Sequence, residues 1–249
     1  MRLSWDGVGV RLFKAGVDRG VLYPLDVNGY GDGVPWNGLT GVDDGSSGHE
    51  KTPLYTNDLK SEILFSPTEH GGTIKCFTYP DAFEACIGNG RILSGLYASA
   101  QDGTPFGLCY RVMIGNDIIS INYAYELHLV YGAYVTEAKA STTTIGAESK
   151  PQEMNFSYES VVEEAFNHRA TSHIILNTRF IDPDKVTEIE DILYGTDLEE
   201  PRLLLPDELY DILYEAEPVP DWYDHYPHDR RFPSNVVYPK VMVDETGEE

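Results

Sequence analysis

Over residues 107–114, and again over 123–131, apolar side chains recur at every second position. Leu108, Tyr110, Val112 and Ile114 share one side of an extended chain, and Tyr123, Tyr125, Leu127, Leu129 and Tyr131 repeat the pattern with Ala124, Glu126, His128 and Val130 opposite. A period of two marks a strand with one face buried. Residues 73–79 read as a strand that Pro80 ends, and 154–162 and 172–177 read in the same way. The period then lengthens. Asp182 can cap a helix, Pro183 suits its first turn and Gly195 its stop, with Val186, Ile189 and Leu193 on one face. This predicts a helix over 183–194 lying against the outside of a sheet. A second short helix is predicted from Pro206, with Asp207 and Glu208 in its first turn and Leu209, Ile212 and Leu213 facing inward.

Two stretches break the pattern. Residues 26–58 are rich in Gly, Asp, Asn and Ser and read as a long loop, unusual in a domain unless functional or disordered. Tyr30, Trp36, Leu39, Leu54 and Tyr55 punctuate it. Aromatic and aliphatic side chains in such a loop must pack on something, either a neighbouring subunit or their own domain. After residue 216 Pro218, Pro220, Pro227, Pro233 and Pro239 forbid regular elements, and tyrosines and Trp222 are interleaved. The organisation expected is one β domain over 1–216 and an extended acidic arm over 217–249. The arm is either a flexible tail or a strap on a neighbour. Tyr30, Trp36, Leu39, Tyr55 and Trp222 are the candidate contacts between subunits.

Composition narrows the function. The 249 residues suffice for one large domain or two small ones, 41% are hydrophobic, and 17 tyrosines with 23 glycines favour strands and tight turns. The formal net charge is -23, and about half of the acidic residues lie from 182 onward. Such a chain does not hold DNA by neutralising phosphates, which requires Lys and Arg. The charge serves solubility, or it repels a polyanion that must pass without sticking. Cys76, Cys86 and Cys109 are odd in number and contain no Cys-x-x-Cys pair, which argues against a disulfide scaffold or zinc ribbon and for buried thiols in a reducing cytoplasm. No apolar run approaches the ~20 residues of a membrane helix, and no signal-peptide pattern is read, so neither membrane insertion nor export by the usual secretory route is expected.

Candidate chemistry is sparse. The run from Asp26 to Gly33 starts like a calcium loop, but Tyr30 and Asn37 stand where an EF-hand needs ligands, so a turn-rich segment is expected. His225 and His228 lie close to Asp221, Asp224 and Asp229 without a ligand spacing of known type, which reads as a solvated arm. His128 reads as an ordinary exposed strand residue. No Gly-x-Ser-x-Gly or phosphate-loop sequence is present. The expectation is no catalytic residue, no metal and no cofactor.

A series of short blocks resembles the major tail proteins, or tail tube proteins, of long non-contractile-tailed bacteriophages. They are Trp5-Asp6-Gly7, Gly16-Val17-Asp18, Gly20-Val21-Leu22-Tyr23, Trp36-Asn37-Gly38-Leu39-Thr40, Leu54-Tyr55, Tyr79-Pro80-Asp81, Phe106-Gly107, Tyr110-Arg111 and Gly115-Asn116-Asp117. They continue with Leu127-His128-Leu129-Val130-Tyr131, Leu193-Tyr194-Gly195 and Leu205-Pro206-Asp207-Glu208, and in order they cover most of residues 5–209. The resemblance implies a mainly β fold: a tail-tube β-sandwich with a flanking helix, a long inter-subunit loop and an extended C-terminal arm. Its inner sheets would join into a hexameric β-barrel. It further implies stacked rings through which double-stranded DNA passes. The partners implied are the same subunit and the tape-measure, tail terminator and tail-tip proteins, in a virion tail assembled in the host cytoplasm. Two other readings are another virion β-protein, such as a capsid decoration or tail-tip subunit, and a carbohydrate-binding or hydrolytic β-sandwich.

Overall fold

The computed structural model describes residues 5–47, 51–56, 59–65, 69–140, 142, 151–164 and 170–214, and leaves the side chains of 46–69 undescribed. In chain order come β1 (Leu12–Asp26), the two-residue β2 (Gly29–Tyr30) and β3 (Val34–Pro35), β4 (Leu39–Ser47), β5 (Lys51–Thr56), β6 (Leu59–Phe65) and β7 (Glu69–Cys76). A single helical turn, α1 (Phe83–Cys86), precedes the hairpin of β8 (Gly90–Leu93) and β9 (Leu96–Ala98). Then follow β10 (Phe106–Asn116), β11 (Ser120–Ala140), β12 (Met154–Ser160), β13 (His173–Asn177), α2 (Pro183–Tyr194) and α3 (Pro206–Leu213).

One large antiparallel sheet organises these elements. Its hydrogen-bonded path runs β2-β1-β10-β11-β12-β7-β4, with β13 also on β11 and β3 on β1. Alternation at 107–114 and 123–131 falls within β10 and β11, which pair directly, Tyr110 opposite His128 and Val112 opposite Glu126. β11 runs for 21 residues because it serves two partners in turn. Glu126–Val130 pair with β13, and Ala133–Ala140 pair with β12. The changeover falls at Gly132, whose φ of +53° suits glycine and where a Cβ would lie 3.0 Å from the Val161 carbonyl oxygen.

The sheet buries both faces of its middle. One cluster gathers Leu22, Phe106, Leu108, Tyr110 and Val130 with Ile74, Cys76, Phe156 and Tyr158, and with Trp36 and Phe83. Because those residues come from both ends of the sheet path, the sheet curls over them. Gly20 lets the curl close: a Cβ there would meet Leu39 Cδ2 at 2.9 Å and Trp36 Cβ at 3.2 Å. The other cluster joins Val21, Tyr23, Cys109, Leu127, Leu129 and Tyr131 to Ile189 and Leu193 of α2 and Leu209 of α3. Two tyrosine hydroxyls pin this layer, Tyr23 donating to the Leu193 carbonyl at 2.5 Å and Tyr131 to the Leu204 carbonyl at 2.9 Å. The Asp182 carboxylate accepts from the Asp184 N–H at 2.9 Å, and Val186, Ile189 and Leu193 are buried, so α2 forms over the span its caps predict.

Three expectations are corrected. Residues 26–58 are not one long loop but carry β2, β3, β4 and β5; β4 exists because Gly41–Ser47 pair with β7 from Lys75 to Glu69. The strand at 73–79 starts earlier and stops at Cys76, because Phe77 and Thr78 turn aside to bond the Gly38 carbonyl and the Trp36 indole. His128 is not an ordinary exposed strand residue. It and Glu126 are buried, because the sheet curls over the face they share with Val130. As a single chain the sheet is open and is not a closed barrel.

Candidate assembly surfaces and a buried polar cluster

Both ends of the sheet path leave backbone groups without a strand partner. Among the described residues β4 has a strand neighbour only in β7. At the opposite end, β2 and β3 cover β1 only from Val21 onward, so among the described residues Leu12–Arg19 has a strand neighbour on the β10 side alone. Such edges are templates for pairing with another chain.

Two apolar surfaces lie outside the core. The first joins Val8, Val10, Leu12 and Phe13 to Ile118, Ile119 and Ile121 at the β10–β11 turn, all exposed. Gly9 holds the two segments together, its N–H donating to Asp117 Oδ1 at 2.9 Å, and a Cβ on it would touch Ile118 Cδ1 at 3.0 Å. The second is the β8–β9 hairpin, which exposes Ile92, Leu93, Leu96 and Tyr97. Clustered exposed apolar side chains of this kind mark interaction surfaces.

Those of the residues singled out in sequence whose side chains are described fall elsewhere. Trp36 is 4% exposed, its ring centroid 4.6 Å from that of Phe83 and its indole N–H donating to the Thr78 carbonyl at 3.1 Å. It packs within its own chain and offers almost no surface to a second one. Leu39 is half-buried against the same cluster. The Tyr30 hydroxyl accepts from the Gly132 N–H at 2.9 Å and donates to Glu163 Oε1 at 3.2 Å, so Tyr30 too is engaged internally. The Tyr55 side chain, Trp222 and the arm at 217–249, with His225 and His228, lie outside the described residues. The Asp26 segment forms a turn in which the Asp26 carboxylate accepts from the Asn28 N–H at 2.6 Å. All three thiols are buried, and burial pushes Cys76 and Cys86 up to about 11 and Cys109 up to about 12.

Sequence reasoning missed a polar cluster where the curled sheet meets itself. Asp44 of β4 accepts hydrogen bonds from the Tyr110 hydroxyl and, at 2.8 Å, from the Tyr158 hydroxyl. Its oxygens also face His70 Nε2 at 3.7 Å and His128 Nδ1 at 3.6 Å. His128 Nδ1 lies 3.1 Å from His173 Nε2, and the His70 and His173 rings stack at 4.2 Å. Burial by itself would raise the Asp44 pKa, but the neighbouring His128 and His70 imidazoles and the hydroxyls of Tyr110 and Tyr158 outweigh it and hold the carboxyl far below the usual carboxylate range. Burial, with repulsion from His70, lowers His173 to about 4, so this imidazole stays neutral near pH 7.

No protein-family model matches the chain, and no curated protein matches it in sequence. Several solved structures are similar in backbone. A chain of the anti-feeding prophage (AFP) tube-terminating cap aligns over 71% of this chain and 99% of its own, at 9% identity and a TM-score of 0.36. The SPP1 tail tube aligns over 73% and 88%, at 13% identity and a TM-score of 0.33. A chain of the extended PVC sheath-tube complex, an extracellular contractile injection system, aligns over 64% and 88%, at 10% identity and a TM-score of 0.32. At these scores the overlap is loose and assigns no role to any residue of this chain.

Proposed function

We propose that this chain is a structural, non-catalytic subunit of a phage tail tube, in which six copies form a ring and rings stack into a conduit for double-stranded DNA. The observation that carries the reading is the pair of unpaired edges at opposite ends of one antiparallel sheet, on a chain whose sequence blocks already resemble tail tube proteins. The β1 edge of one copy pairing with the β4 edge of the next is a head-to-tail contact. Such a contact closes into a ring when the rotation per copy divides a full turn. The edges extend the sheet around the ring, and the apolar surfaces at the β10–β11 turn and the β8–β9 hairpin supply hydrophobic contact between rings. In this reading the β5–β6 hairpin, whose two strands bond each other in a sheet of their own, and the arm at 217–249 reach neighbouring subunits. The tape-measure protein occupies the bore during assembly, and the terminator and tip proteins close the two ends.

The test is negative-stain electron microscopy of the purified protein concentrated at moderate salt, with its mass measured in dilute solution. Hollow tubes or stacked rings with six-fold end views are the expected result. A monomer that forms no rings alone, and none when its tape-measure or tip partner is added, defeats the reading. Saturable glycan binding or turnover by that monomer would instead support the carbohydrate-directed β-sandwich.

A further inference from the structure

Asp44, His70, His128 and His173 come from four strands, β4, β7, β11 and β13. Asp44 and His70 are diagonal neighbours across the β4–β7 pairing, in which Asp44 faces Gly72 and Ser46 faces His70. His128 and His173 are diagonal neighbours across β11–β13, in which His128 faces Ile175 and Val130 faces His173. The cluster therefore joins two strand pairs that the curl of the sheet brings together.

We propose that Asp44, His128 and His173 bind one divalent transition-metal ion of the zinc class, with His70, stacked on His173, as a further imidazole beside it. One ligand atom from each of the three lies within 4.8 Å of the others. Bonds of about 2.0–2.1 Å at a tetrahedral ion place neighbouring ligand atoms roughly 3.3 Å apart. The separations of 3.1 Å between His128 Nδ1 and His173 Nε2 and 3.6 Å between His128 Nδ1 and Asp44 Oδ2 bracket that value. The surroundings of His128 fix which of its nitrogens faces the ion. Its Nε2 has no hydrogen-bond partner and lies 3.5 Å from Glu126 Oε2, a carboxylate that favours a proton on Nε2. The Nδ1 lone pair then faces the Asp44 carboxylate, His173 Nε2 and, at 3.2 Å, the hydroxyl oxygen of Tyr110, whose proton is given to Asp44, an electron-rich focus that a cation satisfies. A carboxylate behind the far nitrogen of a ligating histidine is the usual outer support of such a site. Glu126 is itself held by Lys14 Nζ at 2.5 Å and Asn177 Nδ2 at 3.1 Å. His70 Nε2 also lacks a hydrogen-bond partner although buried. Two imidazoles with one carboxylate suit zinc-like ions over calcium or magnesium, which prefer all-oxygen shells. The ion would clasp β4 to the β11–β13 pair, and this holds whether or not rings form.

The experiment is titration of metal-stripped, full-length protein with Zn2+, with Mg2+ and Ca2+ as controls, reading bound metal per chain after desalting and the melting temperature. One retained Zn2+ per chain and a rise of several degrees in Tm are expected, with neither for the hard ions. Co2+ in place of Zn2+ should give the visible absorption of a low-coordinate nitrogen and oxygen site. Asp44→Asn and His173→Gln should each abolish retention, Glu126→Gln should weaken affinity about tenfold to a hundredfold, and His225→Ala with His228→Ala should change nothing. Wild-type protein that retains no Zn2+ would show a self-contained hydrogen-bonded network and overturn the proposal. So would Zn2+ that survives His173→Gln but is lost with the two arm histidines. Should His173→Gln fail to fold, the wild-type stoichiometry and Co2+ spectrum decide.

Discussion

Single residues here are committed to their own chain more often than a reading of the sequence suggests. Trp36 is the clearest case. Its indole packs on Phe83 and bonds the Thr78 carbonyl, and its Cβ lies against Gly20 of β1. Trp36→Ala should therefore destabilise the fold by about 3–5 kcal/mol, the usual cost of truncating a buried large aromatic. A denaturant melt checks this; an unchanged midpoint with lost polymerisation would return Trp36 to the role of a contact between subunits. The thiols give a second residue-scale expectation. All three are buried and their pKa values are pushed up to about 11 or 12, so at pH 8 almost no thiolate is present or reachable. A thiol reagent should label the native protein at least a hundredfold more slowly than the denatured one. Fast labelling of one cysteine in native protein would mark a locally opening strand. Arg111 adds a third, with its Nε and Nη2 donating to Asp18 at 2.8 and 2.7 Å and its guanidinium 4.5 Å from the Tyr125 ring centroid. Arg111→Lys keeps the charge but loses the fork and the stacking, and should cost roughly 1–3 kcal/mol in the same melt.

Elements differ in how far the sequence discloses them, and the difference is physical. α2 was legible because its signals are local: Asp182, Pro183 and Gly195 act within one turn of their own positions. β10 and the first half of β11 were legible as strands, but not their burial. Alternation tells a half-buried strand from its surroundings only when the second face meets water. Glu126 and His128 look like water-facing residues until the curl of the sheet covers them. β4 was illegible because Gly41, Asp43, Asp44, Gly45, Ser46 and Ser47 have little strand preference; pairing with β7 makes them a strand. The polar cluster was illegible because six strands contribute one residue each and no spacing records it. The β8–β9 surface was legible only in part: Ile92, Leu93, Leu96 and Tyr97 flank a Ser94-Gly95 turn, but short apolar runs beside a turn read equally as strands buried in their own core. That hairpin supports an element-scale prediction. Leu93 is 65% exposed, so Leu93→Asp should leave folding stability within about 0.5 kcal/mol while strongly slowing tube formation. A large loss of stability would mean instead that β8–β9 packs on its own chain.

The whole molecule has to reconcile attraction with charge. Suppose each of six subunits gives four strands to the bore. About 24 strands spaced ~4.8 Å apart and tilted by ~40° make a circumference of roughly 150 Å and a backbone diameter of roughly 48 Å. Inward side chains reduce the bore to about 38 Å, which admits a DNA duplex with water between. If part of the negative charge faced that bore, the wall would give phosphates no cation to bind, and DNA would slide without releasing counterions and stalling. The same charge opposes assembly, because every subunit brought to a ring carries a formal -23. Ring formation must then rest on strand-edge pairing and burial of the exposed apolar side chains, with charge as the opposing term. Salt screens that term: the Debye length falls from ~10 Å at 0.1 M to ~3 Å at 1 M, whereas hydrophobic burial is not weakened. Polymerisation followed by light scattering should therefore accelerate as sodium chloride rises over that range. A rate that falls with salt would mean that ring contacts depend on complementary ion pairs. The two outcomes separate an assembly held together despite its charge from one held together by it.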